Sequence, residues 1–397
     1  MSKGTILYVG GFELPDKNAA AHRVLSNGKI FRELGYKVVF IDVDKTLPYD
    51  SDILTTNKDV QGFECWSIPY PNSKIEWFKY LTKIDFMNVM TKKYSDINVV
   101  VAYNYPALAL RNLNKYCLNK NIKIIGDCTE WYSTKGTSIV FKIIKGLDSF
   151  YRMKIVQKQL DGIIVISEYL EKYYGVSKNI VRIPPLVDID ESKWKVSRLK
   201  SSNDKLRLIY SGSPGKNKDK INKLIESLYF LREFENYEMK VVGITKEEYF
   251  QYYPQDRDKI RGLGERVIFM GRLSHHESIQ QLKNSDFSIF IRENNRLTKA
   301  GFPTKFVESI SCGIPVITTN TSDLNQYLID GFNGFYIHED VNKSIDKIRE
   351  ILSLSRNEVD NIKGNCVNSV NFNYDNYFDV CQKFIDGVIK NRISGSV

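Results

Sequence analysis

The chain has 397 residues, with 57 Lys and Arg against 47 Asp and Glu for a formal net charge of +10. That length supports two or three domains with cores of their own, and the positive balance suits an anionic partner: a phosphorylated substrate, a nucleic acid or a membrane surface. Six cysteines without a CxxC pair and four histidines without ligand spacing argue against a dedicated zinc site and for a reducing cytoplasm.

The opening, MSKGTILYVGG, places only Ile6–Val9 before two glycines, which reads as a strand rather than a signal peptide. No uninterrupted apolar window of about eighteen residues occurs, so no spanning helix is expected. After the strand Thr5–Val9, Gly10 and Gly11 make a turn where backbone can approach a ligand. A helix over Ala19–Leu34 and a strand over Lys37–Asp42 follow, the opening of a doubly wound α/β domain. GGFELP is not GxGxxG, so the dinucleotide fingerprint is missing. His22 and Arg23, near the helix start, are candidates to face the ligand; surface or packing positions are the alternative.

Phe63–Ile68 reads as a strand, and Ser73–Tyr94 as a basic amphipathic helix or helix pair. Val99–Tyr103 is a strand, Pro106–Lys120 a helix and Ile122–Gly126 a strand running into DCTEWYS. That puts Asp127 and Glu130 at the carboxyl end of a parallel strand, where sites collect in open sheets; either can face a hydroxyl. Ser138–Leu160 is a second basic amphipathic stretch, with Lys142, Lys145, Arg152, Lys154 and Lys158 against Asp148. Such a helix can lie on an anionic membrane; the alternative is a packed helix with a solvated basic face. After the strands Gly162–Ser167 and Ile180–Ile183, a Pro-, Ser- and charge-rich run puts a boundary near Pro185–Asp204. The expected domains are 1–186 and 187–373, with a helical tail over about 374–397 packing back on the first.

The second half restarts with a strand over Lys205–Tyr210, the loop SGSPGK and a helix from about Asp219. The loop resembles a phosphate cradle but lacks the Lys-Ser/Thr pair of a P-loop. Strands at Glu238–Val242 and Val267–Met270 lead to GRLSHHE, where His275 and His276 read as helix-start residues rather than catalysts. Phe287–Ile291 is a strand, Arg292–Lys299 a polar loop, and Lys305–Cys312 a helix with Thr304 as its cap and Gly313 as its left-handed end. A loop after a parallel strand that opens on a helix N-terminus is an anion site. Lys305 in the first turn opposes the helix dipole unless an anion neutralises it. Glu308, one turn on, can accept hydrogen bonds from two neighbouring hydroxyls such as those of a ribose. A capped surface helix with solvated charges is the bland alternative.

The run AGFPTKFVESISCGIPVITT, 300–319, resembles the donor-binding signature of family 4 retaining glycosyltransferases, of GT-B fold. Glu308 matches the signature's second glutamate, Gly301-Phe302 its Gly-Phe pair and Gly313-Ile314-Pro315 its turn. Ala300 stands where the first glutamate belongs. The variant is most similar to bacterial enzymes of capsule, lipopolysaccharide and exopolysaccharide assembly. The resemblance implies two doubly wound Rossmann-like domains facing a central cleft, the second holding a nucleotide-diphosphate sugar and the first a glycan or polyprenyl-diphosphate-linked acceptor. It implies diphosphate contacts at Lys218, Lys216, Arg292 and Lys305. Ser213 takes the place of a family arginine. Base contacts fall near Leu273, ribose contacts at Glu308, and sugar contacts near Gly301, Phe302 and Thr304. Gly10 and Gly11 fall on the donor side, in a loop lining the cleft near the sugar and acceptor. His22, Arg23 and Asp127 fall on the acceptor side, and Glu130 near the reacting centre, a catalytic candidate with Lys218 and Arg292. Neither cofactor nor metal is implied: the DxD runs Asp42–Asp44 and Asp188–Asp190 belong to another glycosyltransferase fold and read as chance. A cytoplasmic location, peripheral on the inner membrane face, follows. The alternatives are an isomerase or phosphorylase of the same fold, or a non-catalytic partner subunit.

Overall fold

The computed structural model describes residues 2–131, 139–175, 179–195, 205–214 and 219–390. The chain divides into two compact units, Met1–Leu186 with Asn373–Val397, and Val187–Phe372.

The first unit runs β1 (Thr5–Gly10), α1 (Ala19–Glu33), β2 (Lys37–Asp44), β3 (Lys58–Val60), β4 (Phe63–Pro69), α2 (Lys74–Thr82), α3 (Phe86–Lys93), β5 (Ile97–Tyr103), α4 (Ala107–Asn119), β6 (Lys123–Cys128), α5 (Ile139–Tyr151), β7 (Gly162–Val165), α6 (Glu168–Tyr174) and β8 (Ile180–Arg182). Its sheet has the order β3-β4-β2-β1-β5-β6-β7-β8, parallel except for β3 against β4. β1 is buried along its whole length, as a strand covered on both faces must be. The stretch Ser73–Tyr94 resolves into a helix pair, because the Ser73–Glu76 capping box starts α2 and the chain breaks at 83–85 before α3.

The second unit runs β9 (Leu206–Ser211), α7 (Ile221–Phe230), β10 (Tyr237–Val242), α8 (Lys246–Tyr252), α9 (Arg257–Leu263), β11 (Val267–Gly271), α10 (His275–Lys283), β12 (Phe287–Phe290), α11 (Arg296–Ala300), α12 (Thr304–Ser311), β13 (Val316–Thr318), β14 (Gly334–Tyr336), α13 (Val341–Leu352) and α14 (Arg356–Ser369). Its strand order, β11-β10-β9-β12-β13-β14, is the dinucleotide-fold order with the reversal between β9 and β12. A last helix, α15 (Phe378–Lys390), belongs to the first unit: Phe384, Ile385 and Val388 enter the core that holds Tyr8 and Ile125. A side chain at Gly162 on β7 would come within 2.7 Å of Val388, so glycine lets this helix lie on the sheet.

Two local expectations change. The polar loop after Arg292 contains α11, started by the Asn295 side chain accepting from the Thr298 amide. Thr304 is the first residue of α12 rather than its cap; Pro303 holds the cap position with no side-chain bond. Gly313 adopts φ +65°, the left-handed turn that ends a helix.

Candidate functional site

In open parallel sheets, ligands bind outside the carboxyl ends of the strands where the strand order reverses. In the second unit that point lies between β9 and β12. Gly212, with φ +125°, follows β9 there, and its α-carbon face meets Lys305 Nζ: an added Cβ would lie 3.4 Å from it. The neighbouring turn at Gly243 is tighter still, since a Cβ would sit 2.5 Å from the Gly212 carbonyl oxygen. Glycine at both places lets the two loops approach this closely.

Arg292 follows β12. Its amide donates to Thr319 Oγ1 at 2.9 Å, and that hydroxyl donates back to the Arg292 carbonyl at 2.6 Å. The guanidinium Nε donates to Asp219 Oδ1 at 2.7 Å. Lys305, in the first turn of α12, donates to the other oxygen of Asp219. Tyr210 Oη donates to that same oxygen at 2.8 Å. The Lys305 ammonium also sits 4.0 Å from the Tyr210 ring centroid. Two cations therefore share one buried carboxylate at the switch point, and the cluster keeps a net positive charge. Burial alone would raise the Asp219 carboxyl, but Arg292 and Lys305 outweigh it and hold the group well below the usual carboxylate range. Burial pulls Lys305 below its ordinary value, an effect that Arg292 reinforces and Asp219 only partly offsets.

Arg292 and Lys305 are nearly buried, at 11% and 9% exposure, and Asp219 supplies the partner that a buried charge requires. Lys216 and Lys218 lie outside the described residues. Ser213 is exposed in the loop after Gly212, and Leu273 is half-buried before α10.

Along α12, Glu308 is half-buried, with Oε1 3.1 Å from His275 Nε2. Gly301 and Thr304 are half-buried. The Phe302 ring is 6% exposed and packs against Phe306, Tyr327 and Phe372, so its side chain serves the core. Ala300 is also fully buried, at the end of α11.

In the first unit the reversal lies between β1 and β5. Gly10 ends β1, where a Cβ would collide with the Tyr103 carbonyl at 2.7 Å; Gly11 beyond it is exposed. Asn104, with φ +43°, fastens the β5 loop to the end of β6 by donating to Thr129 Oγ1 at 2.7 Å and accepting from the Thr129 amide at 3.1 Å. Glu130 follows, half-buried, and its charge helps burial raise the Tyr103 phenol. His22 is half-buried.

Arg23 and Asp127 do not face a ligand. Arg23 Nη2 donates to Asp127 Oδ1 at 2.8 Å and Nη1 to the Ile183 carbonyl at 2.8 Å, while Tyr8 Oη donates to Asp127 Oδ2. Both side chains are buried, 3% and 0% exposed, and tie α1 to β6 and the end of β8. Asp42 is likewise committed, accepting from Ser67 Oγ at 2.6 Å and Lys58 Nζ at 2.8 Å. Among the described residues no group of three His, Cys, Asp or Glu is placed to hold a metal. Asp219, Tyr210, Thr319 and His275 are the site residues that the sequence reading missed; the first two carry no motif, and the last was read only as a helix start.

Two parallel-sheet Rossmann-like units define the GT-B class of α/β fold. Solved structures of that fold match the whole chain. A sucrose-phosphate synthase from Thermosynechococcus elongatus is 15% identical over 98% of this chain and 100% of its own, with TM-score 0.68. Anabaena Alr3699/HepE in complex with UDP and glucose is 13% identical over 96% and 99%, with TM-score 0.65. The lipopolysaccharide outer core galactosyltransferase WaaB is 15% identical over 98% and 99%, with TM-score 0.62. Residues 192–365, all in the second unit, match the family model described as "Glycosyl transferases group 1". Among curated proteins no sequence relative was found.

Proposed function

We propose that the chain is a glycosyltransferase that moves a sugar from a nucleoside-diphosphate donor to a glycan or lipid-linked acceptor. The observation that carries this reading is the Arg292–Asp219–Lys305 cluster at the β9/β12 switch point, within the segment matched by the group 1 model. The bond that breaks joins the anomeric carbon to the diphosphate, and the leaving group gains negative charge. Fixed cations in a low-dielectric site stabilise that charge more than water does and need no reorganisation when it develops. An acceptor hydroxyl forms the new C–O bond and gives its proton to the departing diphosphate. The family resemblance favours attack from the leaving-group face, hence retention, and a role in bacterial surface polysaccharide assembly. Since the cations supply the charge, turnover is expected to survive EDTA.

A feature of the first unit supports a peripheral membrane location. On α5, Ile143, Ile144, Leu147 and Phe150 are 55–64% exposed, beside Lys145, with Lys154 and Lys158 exposed just beyond. Apolar side chains inside a basic fringe suit an anionic bilayer, and a lipid-linked acceptor would be met there. No helix among the described residues is long and apolar enough to cross a membrane.

The test is a panel of nucleoside diphosphates and their sugars, read by thermal unfolding. A ligand at 100 times its dissociation constant adds about 2.7 kcal/mol to stability. Protection by one nucleotide family, followed by transfer to an acceptor, supports the reading. Protection by none overturns it. Interconversion of the sugar without transfer would favour an isomerase, and phosphorolysis of a glycan a phosphorylase. Binding without turnover would favour a non-catalytic subunit.

A further inference from the structure

We infer that a cavity at the amino edge of the first unit's sheet binds a small organic anion, a phosphate or carboxylate carried on a body of monosaccharide size. This site is separate from the nucleotide-sugar reading and does not depend on it. The cavity has a volume of about 380 Å³, and Arg32, Val38, Asn57, Lys58 and Phe63 are among its walls. That volume suits a small-molecule ligand. Strand register fixes the place. β2 starts at Lys37, which pairs with Thr5 at the start of β1, and α1 returns to this edge to end at Glu33. Gly10 closes the other end of β1, roughly 16 Å away at about 3.3 Å per residue. The cavity is therefore remote from the Gly10–Gly11 turn.

Most of the charges around this space answer one another. Lys37 Nζ lies 3.0 Å from Glu64 Oε2, and Lys58 Nζ lies 2.8 Å from Asp42 Oδ2. Asp59 accepts from the Gly62 amide at 3.1 Å. Arg32 is left over: half-buried in the last turn of α1, it makes no ion pair among the described residues. Its Nη1 donates to the Gln61 carbonyl at 3.0 Å, and its guanidinium carbon lies 4.1 Å from the Phe63 ring centroid. The hairpin turn between β3 and β4 presents that carbonyl, with φ +54° at Gln61 and +78° at Gly62.

A guanidinium carries five N–H donors in a planar fork. Here one hydrogen bond and one ring contact set the plane, and further donors remain for a ligand. A planar fork held in place matches the two oxygens of a carboxylate or phosphate, and holding it beforehand lowers the ordering cost of binding. Val38 and Phe63 give the space an apolar floor, while the exposed Asn57 side-chain amide stands at its rim. Such walls suit a body that has both C–H faces and hydroxyls.

Calorimetry of the whole chain with glucose 6-phosphate, glucuronate, inorganic phosphate and glucose tests the inference. At least one of the two sugar anions should bind, and which one does so separates phosphate from carboxylate. Glucose should not bind, and inorganic phosphate should bind more weakly than the sugar anion because it leaves the apolar floor empty. Arg32→Gln should weaken the sugar anion about 10–100-fold, for the charge-assisted hydrogen bonds lost. Arg32→Lys keeps a cation and drops the fork, and should cost about 3–10-fold; it carries the test if Arg32→Gln does not fold. Arg292→Ala should leave this binding unchanged, and neither Arg32 variant should alter the affinity for UDP, ADP or GDP. No binding of either sugar anion, an affinity unchanged in the Arg32 variants, or binding that Arg292→Ala removes would overturn the inference. Inorganic phosphate bound as tightly as the sugar anion would overturn the organic body.

Discussion

Arg292 Nε donates a 2.7 Å hydrogen bond to Asp219 Oδ1 across the point where the second sheet reverses its strand order. The two residues also form an isolated antiparallel bridge, so backbone and side chains are registered together. Lys305 completes the cluster from α12. One carboxylate restrains two cations without neutralising both, which leaves a preorganised positive site beside the Gly212 turn.

That arrangement separates the roles of Arg292 and Asp219. Arg292→Ala should lower turnover by roughly 10²–10³-fold, the usual effect of removing one electrostatic stabiliser. Because Asp219 loses one partner but keeps Lys305 and Tyr210, stability should also fall by about 1–3 kcal/mol. Adding Asp219→Asn to Arg292→Ala should restore part of the stability and none of the turnover. Steady-state kinetics and urea unfolding of the single and double variants check this. Recovery of turnover in the double variant would show that Arg292 serves only to neutralise Asp219.

Glu308→Ala should weaken a bare nucleoside diphosphate and the full sugar donor alike, by about 1.5–3 kcal/mol for lost charge-assisted hydrogen bonds. Calorimetry with both ligands reads it. Normal nucleotide affinity in the variant would place the ribose contact elsewhere.

Ala300→Glu tests the missing first glutamate of the resembled signature. Ala300 is completely buried at the end of α11, so the new carboxylate would enter packed core rather than a sugar pocket. Burying an unpaired charge costs several kcal/mol after relaxation. A large fall in Tm is expected, with no gain of activity on any hexose donor. A stable variant with widened donor range would mean that this position opens to the ligand.

The parts legible in the sequence are those set by local physics. The strand runs of Val and Ile, the left-handed Gly313, the loop–helix layout from Phe287 to Thr319 and the helical tail all depend on neighbours within a few residues. Lys305 even announced its need for an anion by opposing the helix dipole. The identity of that anion was hidden because Asp219 lies 86 residues away, and Arg292 lies 73 from it. The Arg23–Asp127 pair spans 104 residues, so two core charges looked like ligand contacts. Phe302 matched a signature by spacing, yet only packing against Phe306, Tyr327 and Phe372 decides which way such an aromatic points.

Acid should unfold the second unit through its buried carboxylates. Asp286 immediately precedes β12 and accepts from Arg207 Nη2 at 2.9 Å and Lys363 Nζ at 3.0 Å, with Arg356 Nη1 2.9 Å away. Burial would raise its carboxyl, but the three cations outweigh burial and hold it well below the usual range. Asp219 is depressed in the same way. A carboxyl lowered in the folded state adds stability above the unfolded value of about 3.9, and that stability is lost as pH falls through the folded value. Unfolding free energy should therefore be flat near neutrality and drop steeply below about pH 4. Asp286→Asn should lose about 3–5 kcal/mol at pH 7 and show a shallower acid slope. An unchanged slope would assign the acid response to other groups.

The membrane prediction turns on which charges α5 and the helical turns that follow it offer. Arg152 was counted with its basic face, yet it is buried, with Nη1 3.8 Å from Asp148, which also accepts from the Ala107 amide at 2.8 Å. Lys154 and Lys158 remain exposed, each within 5.4 Å of the Tyr173 ring centroid, and Lys145 lies beside the apolar ridge of Ile143, Ile144, Leu147 and Phe150. Each basic residue at an anionic surface contributes about 1 kcal/mol, decaying within a Debye length. Changing Lys145, Lys154 and Lys158 to Gln should thus cost about 3 kcal/mol of vesicle binding, and raised salt should mimic the loss. Leu147→Ser with Phe150→Ser should weaken binding at every salt concentration, because those side chains act by leaving water rather than by charge. Co-sedimentation with phosphatidylglycerol and phosphatidylcholine vesicles separates the two contributions. Binding that is equal on both lipids, or absent from both, would remove the membrane from the function of this helix.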